Sequence, residues 1–204
     1  MILFWLMKSK IFRDVVLYVI VISVICLAVL YLVGCIEYDT LGRRKQTAAR
    51  ARELANQVKA DPKNSEALRA LMEAAQSKYH FERDYARNTL GKLGGLAKES
   101  VPILAQGLRS DDGFERDASA HALFDIGKHS FSAKVELLEV IRNHVNESAA
   151  RYAIEALGEI GDNSPEVLET IKFAAYAKLS LGHEEAREVY KKLTGKELPA
   201  KLAD

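Results

Sequence analysis

Five histidines are the side chains best suited to chemistry in this chain: His80, His121, His129, His144 and His183. Asp117, His121 and Asp125 stand four apart, so on a helix they share one face, a spacing that two carboxylates and an imidazole could use to hold a metal ion. No cysteine or second histidine stands nearby to complete a ligand set, so the expected state of this trio is a polar, solvent-facing slot without metal. His183-Glu184-Glu185 lacks the second histidine of a zinc-protease helix, and its acids suit a helix start, where they meet the positive end of the dipole. Asp111-Asp112 likewise falls at an expected turn or helix start. The chain holds no glycine-rich phosphate loop and no Gly-x-Ser-x-Gly elbow. These patterns predict no catalytic group, no cofactor and no small-molecule substrate.

Composition narrows the classes further. The 204 residues carry 29 Lys+Arg against 28 Asp+Glu, a net charge of +1 that excludes a strongly basic nucleic-acid binder and an acidic disordered tail. Two cysteines exclude a disulfide-stapled scaffold, and both (Cys26 and Cys35) lie in or beside Val15–Gly34, an apolar run of 20 residues without a charge. About 20 such residues at 1.5 Å rise cover the ~30 Å hydrocarbon core of a bilayer. The run ends in Leu32-Val33-Gly34-Cys35, which resembles the lipobox of bacterial lipoproteins: an aliphatic residue, a tolerant position, a small residue, then cysteine. That resemblance implies diacylglycerol on the Cys35 thiol, cleavage before it, and Lys8, Lys10 and Arg13 as the basic leader. The alternative is an uncleaved single-pass helix, longer than the usual signal core, for which Arg43, Arg44, Lys45, Arg50 and Arg52 weakly favour a cytoplasmic C-terminal part. Either way the chain is expected at a membrane.

The elements that must position the polar residues emerge from self-comparison. His80-Phe81-Glu82-Arg83-Asp84-Tyr85-Ala86 leads to Leu90, Leu93 and Gly94; Gly113-Phe114-Glu115-Arg116-Asp117-Ala118-Ser119 leads to Leu123, Ile126 and Gly127; Arg151-Tyr152-Ala153 leads to Leu157, Ile160 and Gly161. The spacing of about 33 residues is that of a two-helix repeat. In each copy a small residue (Ala86, Ser119, Ala153) precedes the core leucine by four, on one face, and the closing glycine suits a left-handed helix stop. Second helices are expected over Val101–Leu108, Val135–Ile141 and Val167–Ala174, with Pro102 and Pro165 in first turns and Ser164 as an N-cap. The expected organisation is a leader or anchor over 1–35, a linker over 36–46, a capping helix pair over 47–79, three repeats over 80–181 and a capping helix with tail over 182–204. The apolar stripe of the first cap is Leu54, Val58, Leu68, Leu71, Met72 and Ala75.

The pattern Arg-x-x-Ala-x-x-Ala-Leu-Gly-x-Ile/Leu-Gly, carried by Arg83 and Arg116 and broken at Ala150, resembles the HEAT-repeat family, in particular the short HEAT-like units of phycobilisome lyases. The resemblance implies an all-α, right-handed α-solenoid of stacked helix pairs behind the apolar N-terminal segment. In such a stack the second helices line a recognition face. The expected contact residues are Gln106 and Arg109, then Glu136, Glu139 and Arg142, then Glu166, Glu169 and Lys172. This set is mildly acidic, which argues against nucleic acid and for a protein partner. The expected function is a non-catalytic, membrane-anchored scaffold or adaptor in the bacterial cell envelope; the alternative, by analogy, is a bilin-lyase-like or lyase-accessory protein.

Overall fold

Leu90, Leu123 and Leu157, the recurring leucines, are each 0% exposed and lie near the C-terminal ends of three helices that recur one repeat apart. The computed structural model describes residues 18, 22, 25, 41–63, 65–144, 147–177 and 180–199. It divides into two compact units, Met1–Gln46 and Thr47–Asp204. In the first, Tyr18, Ile22 and Ile25 are helical and exposed, and residues 41–46 are helical. Among the described residues no helix is long and apolar enough to cross a membrane. The rest of the apolar run, and the Leu32–Cys35 segment that resembles a lipobox, lie outside the described residues.

The second unit begins with helical residues 47–60 (α1), followed by α2 (Ser65–Ala74). Three first helices come next in the repeats: α3 (His80–Lys92), α5 (Gly113–Ile126) and α7 (Ser148–Ile160). They alternate with second helices α4 (Val101–Leu108), α6 (Lys134–Asn143) and α8 (Pro165–Tyr176), and α9 (His183–Thr194) closes the array. Among the described residues there is no strand. First helices pack on first helices, in the order α3, α5, α7, α9, and second helices on second helices, in the order α4, α6, α8. Each second helix also packs on the first helix of the following repeat. This two-layer stacking, in which a unit touches only its neighbours, is the arrangement of an α-solenoid.

Small residues set the closeness of the layers. Ala86, Ser119 and Ala153 are buried as the spacing requires. Two glycines add to them: a Cβ on Gly91 would lie 2.9 Å from the Ala122 Cα, and one on Gly158 would lie 2.8 Å from Val189. Gly161 adopts the left-handed stop (φ 76°, ψ 17°), whereas Gly127 takes φ 68° and ψ −135° and leads into further turns. Two short 3-10 segments, Gly94–Ser100 and Gly127–Ala133, join first to second helices in the first two repeats, a feature absent from the sequence reading. Within them the hydroxyls of Ser100 and Ser130 donate to the carbonyls of Ala97 (2.7 Å) and Gly127 (2.6 Å), which satisfies polar groups that burial would otherwise strand.

Both segments are 7 residues long, so the second helices that follow them start at equivalent places, Val101 and Lys134. Val135 does not correspond to Val101: it is 55% exposed where Val101 is 1%, because Lys134 holds the matching place at the helix start. Ser164 does occupy the N-cap position of α8, but its hydroxyl makes no capping bond; the Asp162 carboxylate accepts from the Ser164 N–H instead (2.9 Å). Asp112 caps α5 by accepting from the Phe114 N–H at 2.9 Å. Helix α2 ends at Ala74, before the expected end of the capping pair at 79, and turns carry the chain to α3.

Candidate protein-binding surface

The second helices carry the expected polar row on their outer side. Gln106 of α4 and Arg109 just past its end, Glu139 and Arg142 of α6, and Glu166, Glu169 and Lys172 of α8 are exposed, while Glu136 is half-buried. Ion pairs run from one repeat to the next along this row: Arg109 to Glu136 at 2.9 Å, and Arg142 to Glu166 at 3.3 Å with a second bond to the Thr170 hydroxyl at 2.9 Å. The Lys172 ammonium stands 5.5 Å from the centre of the Tyr190 ring on α9. Exposed pairs of this kind contribute little to stability, so their partners are available for exchange with another molecule. Two apolar side chains stand beside them, Val135 on α6 and Phe173 on α8, the latter 47% exposed. Isolated exposed hydrophobics are ordinary, but here they alternate with the charged row on adjacent helices.

On the first-helix side the His121 trio does not assemble. His121 Nε2 lies 4.0 Å from the Asp125 carboxylate and its ring stacks, tilted, 4.5 Å from that of Tyr152. Asp117 has a buried carboxylate oxygen without a partner, yet among the described residues no group of three potential ligands converges. Asn88, His121 and Glu155, which share one repeat position, are all half-buried on the outer surface of the first-helix layer. Burial pushes the Glu155 carboxyl up; Arg151 opposes this and Glu185 reinforces it. His183 begins α9 with Glu184 and Glu185 in its first turn.

What the sequence reading missed is the role of the repeat arginines. Arg83 donates to the Ser77 carbonyl at 2.9 Å and pairs across to Glu115 of the next repeat at 3.5 Å. Arg116, one repeat later, donates to the Ser110 carbonyl at 2.6 Å and holds both oxygens of Glu147 at 2.7 and 2.8 Å. Each arginine therefore ties the loop before its own helix to an acid at the start of the next first helix. The identical spacing of Arg83 and Arg116, with an acid about one repeat further on, was the available signal. In the third copy Ala150 is fully buried and no such bridge forms from its position, while Arg151 turns outward to Glu155 (3.6 Å) and Glu185 (3.9 Å).

This geometry agrees with the comparison to protein families. Residues 149–175, which span α7 and most of α8, match the family described as PBS lyase HEAT-like repeat. The chain carries a HEAT-like repeat. No curated protein and no solved structure matches it. The matched copy is the one without the motif arginine; its Ala153, Leu157, Gly158, Val167 and Ile171 are buried.

Proposed function

We propose that the chain is a non-catalytic scaffold or adaptor that binds a protein partner along its second helices and is held to a membrane of the bacterial cell envelope by its N-terminal segment. The observation that supports this reading is the row on α4, α6 and α8: exposed charges linked from repeat to repeat, interspersed with exposed Val135 and Phe173. Apolar side chains set among polar ones are found at protein interfaces. Stacked helical repeats use such extended faces for recognition.

The combined substitution Glu136→Lys, Glu139→Lys and Glu169→Lys is expected to release a captured partner. The exposed Glu139 and Glu169 changes stay within about 0.5 kcal/mol of neutral, while half-buried Glu136 also loses its Arg109 pair, so a thermal melt of the variant separates release from unfolding. Affinity capture of the full-length chain followed by mass spectrometry reads the result. Capture that survives this triple change and fails instead on Asn88, His121 and Glu155 variants would place the interface on the first helices.

Attachment is proposed through lipid on Cys35, with the mature chain beginning there. Each buried CH₂ adds about 0.8 kcal/mol, so two or more acyl chains hold the protein firmly. Cys35→Ser is expected to abolish palmitate labelling and to leave a longer, unprocessed chain. Intact mass separates the alternatives: a wild-type chain that keeps residues before Cys35 and carries no lipid is a single-pass anchor. A second reading, a lyase-like or lyase-accessory role, is supported by the name of the matched repeat alone. It predicts that the chain changes the absorbance of an added bilin, and no change would count against it.

A further inference from the structure

Arg87 breaks the repeat. Its counterpart one unit later is Ala120 and two units later Ile154, both fully buried in the core, whereas Arg87 brings a guanidinium to the same depth at 3% exposure. Burying a cation where alanine suffices is costly unless the charge is matched. It is matched only in part: Arg87 pairs with Glu115, but Arg83 claims the same carboxylate at 3.5 Å. The Nε and Nη1 of Arg87 and the Nε of Arg83 are buried without hydrogen-bond partners.

Arg83 and Arg87 are among the residues that line a groove of about 760 Å³ between the first and second repeats. Its wall contains three arginines, Arg83, Arg87 and Arg109, and one acid, Glu115. Burial pushes the Glu115 carboxyl up, but the Ser110 hydroxyl and the Arg87 and Arg83 guanidiniums more than reverse this, holding it below the ordinary range. Glu115 is therefore already ionised and already shared. Gly107 also lines the groove, and only glycine admits the side chains packed on it, since a Cβ there would lie 2.2 Å from the Ser119 hydroxyl and 3.3 Å from the Arg87 guanidinium carbon.

The corresponding groove one repeat further on is different. It measures about 380 Å³ and is lined by Glu136 and Glu139 where the first has Ile103 and Gln106, with Val140 in place of Gly107. Repeat architecture alone thus does not require the buried arginine. It belongs to the first groove, and with Arg83 and Arg109 it makes that groove cationic beside an otherwise mildly acidic row.

We propose that this groove receives an acidic segment of a protein partner, with a carboxylate of that segment supplying the counter-charge that Arg83 and Arg87 lack. The proposal rests on the reading of the second helices as the binding face, since Gln106 and Arg109 belong to both. Planar guanidiniums on one wall suit a carboxylate, which they bind through paired N–H donors. The half-buried Ile103 offers apolar contact to the methylene stem of a glutamate. At about 760 Å³ the groove accommodates a few side chains rather than one small ion.

The test uses the full-length chain and a fluorescein-labelled hexaglutamate peptide, read by fluorescence anisotropy, with hexalysine as the opposite-charge control. Gln106→Glu, an exposed change that adds a negative charge at the rim, is expected to weaken hexaglutamate about tenfold, equivalent to 1.4 kcal/mol. Glu115→Gln removes the competing internal carboxylate and is expected to tighten it, an effect opposite in sign to any loss of structure. Lys128→Glu, at an exposed site outside the groove, is expected to change nothing. No binding of hexaglutamate, equal losses from Gln106→Glu and Lys128→Glu, or no gain from Glu115→Gln would each overturn the proposal. The two readings fail separately. A partner released by the triple glutamate reversal, in a chain that ignores hexaglutamate, leaves the binding face standing and removes the groove. Groove-dependent hexaglutamate binding in a chain that captures no protein does the reverse.

Discussion

Leu123→Ala is expected to cost roughly 2–5 kcal/mol, the range for truncating a fully buried leucine, and to lower the melting temperature by several degrees. Leu123 has no exposed surface and sits on α5, the helix with neighbours on every side: α3 and α7 in its own layer and α4 against its flank. The cavity has little room to collapse, because α3 and α5 already meet where Gly91 faces the Ala122 backbone. In a stack stabilised by nearest-neighbour interfaces, weakening the middle unit removes support from both sides. Amide exchange should therefore quicken in α3 and α7 as well as α5, while α9, which packs on α7 and α8, changes less. Far-ultraviolet circular dichroism with urea titration measures the loss. A variant as stable as its parent would show that Leu123 is not central to the core.

The same leucine explains why the fold was legible. Periodic burial leaves a periodic residue pattern, and Ala86, Ser119 and Ala153 announced the close helix contacts that the structure contains. The 3-10 segments were not legible, because a helix stop at glycine reads the same whether a loop or a tight turn follows it; the second helix expected from Val135 begins one residue earlier, at Lys134. Positions on the second-helix row followed from helix geometry, but their pairing did not, since Arg109–Glu136 and Arg142–Glu166 join residues brought together only by stacking. Arg87 was invisible for the opposite reason. A charged residue inside a polar-looking helix, α3, passes for a surface residue until its counterparts Ala120 and Ile154 are seen to occupy the same buried place.

Glu147→Ala is expected to destabilise the array by about 3 kcal/mol at neutral pH, the scale for removing one partner of a buried pair, or roughly 6–12 °C in melting temperature. The direction of the substitution matters. The Arg116 side chain is 8% exposed and keeps only the Ser110 carbonyl when the carboxylate goes, so a cation is left in the interior; the Glu147 side chain, at 32%, reaches water more easily. Arg116→Met should therefore cost less than Glu147→Ala, although both break the same contacts. Acid supplies the independent check. Burial pushes the Glu147 carboxyl up, but Arg116, by hydrogen bonding and charge, and His144, 3.1 Å away, together hold it below its ordinary value of 4.5. A carboxyl lowered on folding contributes stability that is complete above its unfolded value and disappears as the pH falls through the folded one. Parent and Glu147→Ala should thus differ most above about pH 5 and converge in stronger acid, where the parent has lost the interaction to protonation. Urea titrations at a series of pH values follow both curves. A difference that stays constant from neutral pH into acid would mean that Glu147 acts through packing, and that Arg116 is held by the Ser110 carbonyl alone.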